Sequence, residues 1–492
     1  MWVMVMGCVF KHHVYLCIVS TAMLAGLSLI TSHTKAYAQN QNCTIVSNLN
    51  GPIVCDGGKG GNGMLNTSSD RGGSKIEIKM DMSKHSGKEA VKITGGANII
   101  ATKKLKVTGA VKGSGKNLPV IKVDGSGGKL MLLGGVDVDG GAKIKGSGGN
   151  GKVVGVQMGG TEKLVMMRNV IFEGVTEGIN IKGGGRRGAA NVMGMGTMTV
   201  NGSGVVGIKV EDTGTIDATV MGLKIEGSGG SKGVEFKGTG TGGKGTLTLN
   251  SVDVSGFETG VSASKGKLVM MGGWITIKEN GGKGYGLNMQ GEANAELMRT
   301  RIVGDRRGDG TGSNSTGVVM GSEGTLMLTS VDISNVGVSV EKGMVNIMGN
   351  STITVKENGT GLSVSGTGNA TMMGAEIKGE GGKGMYGVKM MGSGTVKMMG
   401  GTIMVKGGAG NGNYGVGVSG GAVTMMGTEI VGTSGGTGVY MGSGGKMTGS
   451  GTVEMTSVGI SNVEKGYGIE VWGKATTSFF NDFKNMRAYS SY

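Results

Sequence analysis

Gly361-Leu362-Ser363-Val364 is followed by Asn369-Ala370-Thr371-Met372-Met373-Gly374 and then by Ala375-Glu376-Ile377-Lys378-Gly379, and the pattern starts again at Gly387-Val388-Lys389-Met390. Inside each piece apolar and polar residues alternate at period two, the signature of a strand and not of a helix. The same glycine opening recurs at Gly155, Gly178, Gly207, Gly233, Gly260, Gly286, Gly317, Gly337, Gly361, Gly387, Gly415, Gly438 and Gly468, a mean spacing of about 26 residues. A unit this short cannot bury its own apolar face and is stable only when stacked on its neighbours, which makes the chain a solenoid. Three short strands and three turns per unit fit one rung of a single-stranded parallel β-helix of the pectate-lyase-like kind, each strand pairing with its equivalent about 4.8 Å away. The crossover rule makes that helix right-handed. With 108 glycines a helical repeat is excluded, since each interior glycine costs about 1 kcal/mol relative to alanine. Collagen is excluded by the absence of a strict three-residue spacing and by only two prolines, Pro52 and Pro119. The glycines are expected where the chain turns with positive φ.

The middle and last strands of the unit give a register. LTLNSVDV, LVMMGGWI, AELMRTRI, LMLTSVDI, ATMMGAEI, VKMMGGTI, VTMMGTEI and VEMTSVGI align without gaps and end on Val254, Ile275, Ile302, Ile333, Ile377, Ile403, Ile430 and Ile460. That column is expected to point inward. The preceding one is chemically mixed (Asp253, Trp274, Arg301, Asp332, Glu376, Thr402, Glu429, Gly459) and is expected to face solvent.

Residues 1–38 read as a signal peptide: Lys11, His12 and His13 precede an apolar run from Val14 to Ile30, and Ala36-Tyr37-Ala38 offers a cleavage site before Gln39. The expected destination is export through the inner membrane to the cell surface, the outer membrane or the medium. Cys8 and Cys17 leave with the signal, and Cys43 with Cys55 closes a short loop, as a disulfide does in an exported chain. Solenoid ends need covering, so residues 39–90 are expected to form an amino-terminal cap and 91–474 the β-helix. That helix would have about 14 rungs and be about 65 Å long, with 475–492 forming a second cap or a truncated end.

The formal net charge of +15 falls to +13 when Lys11 and Lys35 are removed. A basic surface suits acidic partners, but scattered lysines and few aromatic residues argue against a stacking platform for nucleic acid. Three of the four histidines lie in the signal, leaving His85; neither a Ser-His-Asp triad nor an ordinary zinc site can be built, and no cofactor or metal is expected. Paired carboxylates for polysaccharide cleavage must stand roughly 5–9.5 Å apart. In the mixed column Asp253 and Asp332 are three rungs apart and Glu376 and Glu429 two, too far for that work, so the chain is not read as an enzyme. Gly238-Thr239-Gly240-Thr241-Gly242-Gly243 mimics a dinucleotide fingerprint without the helix it needs, and Gly60-Gly61-Asn62-Gly63 lacks the aspartate of a calcium-binding nonapeptide. The 37 methionines sit mostly in LVMM, TMMG and VKMM at strand spacing, which reads as apolar gap-filling before soft-metal binding. Arg307-Gly308-Asp309, a tripeptide read by integrins, lies in the longest interval between openings, where a loop would project.

Together, FKHHVYLCIVSTAMLAGLSLITSHTKAYAQ, the segment Gly51-Pro52-Ile53-Val54-Cys55-Asp56-Gly57 and rungs of the TGVxVxGxG…MMGxxI type resemble the passenger region of alphaproteobacterial type V autotransporters. The resemblance implies a β-helical rod displayed by an outer-membrane barrel and serving as an adhesin toward host cell-surface or matrix proteins or acidic glycans. The sequence departs from the family beyond Gly468, where a barrel would need many alternating segments of about ten residues. A separate translocator, or a truncated relic that has lost its own, is therefore part of the expectation. The alternative from another class is a polysaccharide lyase or hydrolase, which acidic residues clustered on adjacent rungs would support.

Overall fold

In a computed structural model, the chain is described over residues 43–45, 52–59, 61–65, 77–85, 87–109, 119–125, 127–139, 153–183, 188–212, 216–238, 245–278, 283–304, 315–356, 358–381, 384–406, 412–433, 436–442, 451–463, 468–471, 476–480 and 488–490. It is an all-β parallel solenoid, and among the described residues the helical content is two single turns, Gly57–Lys59 and Met82–Lys84. One rung consists of an opening strand, Thr360–Val364, a middle strand, Asn369–Met373, and a closing strand, Glu376–Glu380. Each pairs in parallel with its equivalent on the next rung, Tyr386–Met390, Thr395–Met399 and Thr402–Lys406. The middle strands form a sheet of 16, and the opening and closing strands are joined into one of 31. They join because Lys224–Gly238 and Asp253–Ala263 run from closing to opening face without a break.

Alternation at period two puts one set of side chains into a continuous core. The Ile column of the closing face is in register through Val254, Ile275, Ile302 and Ile333 and is fully buried at Ile377 and Ile275. Between Ile333 and Ile377 the column has a further member, Ile353. Its rung escapes a gapless alignment because the corner after Met348 carries one extra residue: Gly349 and Asn350 both take positive φ, 64° and 58°.

Two glycine columns serve different purposes. The corner glycines after the middle strand, such as Gly374, adopt the left-handed conformation (φ 62°), and Ser251, Arg299, Ser330 and Ser457 take it on at the same corner in other rungs. The opening glycines do not turn with positive φ; except at Gly468, where the space is open, they are there because the interior leaves no room for a β-carbon. This corrects the expectation that turning alone places the glycines.

The first complete rung is Ile53–Asp56, Asn62–Met64 and Glu77–Asp81, paired in parallel with the next. The stack thus begins inside the segment expected as a cap, and the antiparallel strand Cys43–Ile45 lies along its open edge. At the other end Thr476–Phe480 and Ala488–Ser490 continue the middle and opening columns.

Candidate functional site

Acidic residues do cluster on adjacent rungs, on the opening face, which the sequence alone did not register. Asn180 pairs with Lys209, and Lys209 with Glu235. Lys209 Nζ donates to Glu177 Oε1 at 3.0 Å and is ion-paired with Glu211 as well. Asn180 Nδ2 donates to the other oxygen of Glu177. Although they occupy outward columns, Glu177, Asn180 and Lys209 are 5%, 2% and 7% exposed. Burial pushes the Lys209 ammonium down, but its hydrogen bonds to Glu211 and Glu177 outweigh this and hold it above its ordinary range. A lysine kept protonated by two carboxylates cannot serve as a general base near neutral pH, and the carboxylates share its ammonium instead of facing a substrate. The cluster can tie two rungs together, both carboxylates being drawn to one ammonium.

Further along the same face, Tyr386 and Tyr414 stack with ring centroids 4.9 Å apart, and Tyr440 follows at 4.8 Å. Gly417 makes room for the stack, since a β-carbon there would lie 2.7 Å from the Tyr386 ring. Lys389 Nζ sits 4.8 Å from the Tyr386 centroid, a cation–π contact. Burial raises the pKa of all three phenols; Tyr386 and Tyr440 add to the effect at Tyr414, and Glu470 at Tyr440.

The closing face carries an open groove of about 380 Å³ lined by Arg301, Val303, Gly304, Ser334, Asn335, Thr354 and Glu380. The Arg301 guanidinium stacks 4.9 Å from the centroid of Trp274, which is 53% exposed. Arg301 Nε is 3.1 Å from Asp332 Oδ2, yet its N–H finds no hydrogen-bond acceptor among the described residues, so the contact is an ion pair by proximity. The column expected to face solvent does so. Gly304, in the groove wall, is the last described residue before the segment holding Arg307, Gly308 and Asp309, which lies outside the described residues. The stack is unbroken on both sides: Arg301 pairs with Asp332, and Tyr285 with Thr316.

On the middle face each Met-Met pair divides. Met270, Met372, Met398 and Met425 are buried, whereas Met373, Met399 and Met426 are 44%, 41% and 53% exposed. Core gap-filling therefore accounts for the first of each pair only; period-two alternation turns the second outward. Met348, Met373, Met399 and Met426 are successive partners in one column, and Met193–Met221 and Met271–Met298 occupy the same column earlier in the stack.

Cys43 and Cys55 face one another across the antiparallel pair and are disulfide-bonded, Cα–Cα 4.0 Å. The cleavage site at Ala38 and Gln39, like residues 1–38 as a whole, lies outside the described residues. Among the described residues no three His, Cys, Asp or Glu side chains are grouped to hold a metal ion, and no helix is long and apolar enough to cross a membrane. The chain matches no family model, no curated protein and no solved structure.

Proposed function

We propose that the protein is an exported β-helical binding rod, an adhesin of the autotransporter-passenger type that engages host cell-surface or matrix proteins or acidic glycans. The observation that carries this reading is the intact stack on either side of residues 305–314. A solenoid accepts an insertion at a corner without losing register, and such insertions gather on one face as binding loops. Here the segment holding Arg307-Gly308-Asp309 follows Gly304 in sequence, and Gly304 lines an open groove that also presents Arg301 and Glu380, with Trp274 against the Arg301 guanidinium. Long columns of repeated surface chemistry suit many weak contacts better than one deep pocket. The test is adhesion of the full chain to integrin-bearing cells, compared with Asp309→Ala and Arg301→Ala variants. Loss in Asp309→Ala supports the tripeptide, and loss in Arg301→Ala supports the groove. Adhesion by neither variant nor parent overturns the reading.

The polysaccharide-enzyme reading has one observation in its favour, Glu177 and Glu211 on adjacent rungs of one face. The buried, protonated Lys209 between them weighs against it.

A further inference from the structure

We propose that the outward methionine column of the middle face is a binding site for a soft monovalent cation, Cu(I) or its chemical mimic Ag(I). Four consecutive rungs place Met348, Met373, Met399 and Met426 at one outward position. Parallel in-register pairing repeats that position about every 4.8 Å along the stack. Taking the zinc–thiolate length of about 2.3 Å as the scale of a metal–sulfur bond, an ion held linearly between two thioethers spans about 4.6 Å. Neighbouring rungs thus match the span without any change of backbone. Thioether sulfur selects Cu(I) over harder ions, and the flanking outward column, Asn346, Thr371, Lys397 and Thr424, supplies no carboxylate that would favour zinc or calcium. The other flank is bare: Gly374, Gly400 and Gly427 have open space where a β-carbon would stand. The stack fixes the backbone spacing of the ligands in advance, which leaves only the methionine side chains to be ordered on binding. The buried partners Met372, Met398 and Met425 face the core and cannot contribute.

The experiment is a chloride-free Ag(I) titration of the full chain by calorimetry, with the thiols of Cys8 and Cys17 blocked by N-ethylmaleimide. Three proteins are compared: the parent, the ladder variant Met348→Leu/Met373→Leu/Met399→Leu/Met426→Leu, and an off-ladder control, Met195→Leu/Met391→Leu. Leucine conserves volume at these outward positions, of which Met348 is half-buried, and Met399→Leu alone, which splits the run in two, serves where the fourfold variant does not fold. The parent and the control should bind alike, and the ladder variants should lose part of the Ag(I) stoichiometry, the pairs Met193–Met221 and Met271–Met298 of the same column remaining. Equal binding by parent and ladder variants, or no binding by the parent, overturns the proposal.

Discussion

A β-carbon placed on Gly361 would lie 2.4 Å from Cγ2 of Ile377 and 2.7 Å from the carbonyl oxygen of Gly387. The same interlock recurs up the stack: Gly260 against Ile275 at 2.2 Å, Gly387 against Ile403 at 2.3 Å and Gly415 against Ile430 at 2.5 Å. The inward isoleucine of the closing strand occupies the space the opening glycine leaves free, so the two most regular columns of the sequence are two halves of one packing contact. Gly361→Ala should therefore cost about 1–3 kcal/mol by overpacking, seen as a lower thermal midpoint. Adding Ile377→Leu, which removes the Cγ2 methyl, should recover part of the loss with a coupling of about 0.5 kcal/mol or more. The carbonyl of Gly387 still stands in the way, so recovery is incomplete. Additive effects of the two changes would refute the interlock.

Lys209→Met should destabilise the stack by about 3–5 kcal/mol, because it leaves Glu177 buried without its counter-charge. The same pair predicts a pH dependence. The folded ammonium has a raised pKa, so its contribution is fully present below the unfolded value of about 10.4 and is lost as pH rises toward the folded value. Chemical denaturation of the parent should show this alkaline loss, and Lys209→Met should show a smaller one.

The tyrosine stack should titrate in two classes when ionisation is followed by ultraviolet absorbance. Tyr386, Tyr414 and Tyr440 have raised pKa values because burial disfavours the phenolate, so they should ionise above the ordinary phenol value of about 10. Their neutral forms stabilise the fold below about pH 10, and that contribution falls away above it. Tyr414→Phe should lower the later class by one group. A single class at the ordinary value would contradict the stacked, half-buried arrangement.

Reduction of Cys43–Cys55, which are 12 positions apart in sequence, should cost up to about 3 kcal/mol by the loop-closure estimate. Because each rung contacts only its neighbours, the effect should stay local. Hydrogen exchange after reduction should rise in Ile53–Asp56 and leave Thr360–Val364 unchanged.

The repeat period and the closing-face register were legible because alternation and glycine spacing report backbone geometry directly, as the Val254–Ile460 column shows. The rung at Ile353 was not, since one extra corner residue, Asn350, breaks a gapless alignment. The Glu177–Lys209–Glu211 cluster was missed for another reason: its members occupy different positions of adjacent opening strands, and only the pairing of Asn180 with Lys209 brings them together. The methionine ladder was present in the letters, but LVMM does not say which methionine faces the core until the register of the middle strands is fixed.

Binding of the full chain to host cells and matrix components across a salt series, with polysaccharide breakdown followed in the same samples, tests the binding-rod account most directly. The account predicts saturable binding without breakdown; loss above about 0.3 M salt would assign that binding to the basic surface and an acidic glycan. Cleavage of the polysaccharide, or the absence of any saturable binding, would contradict it.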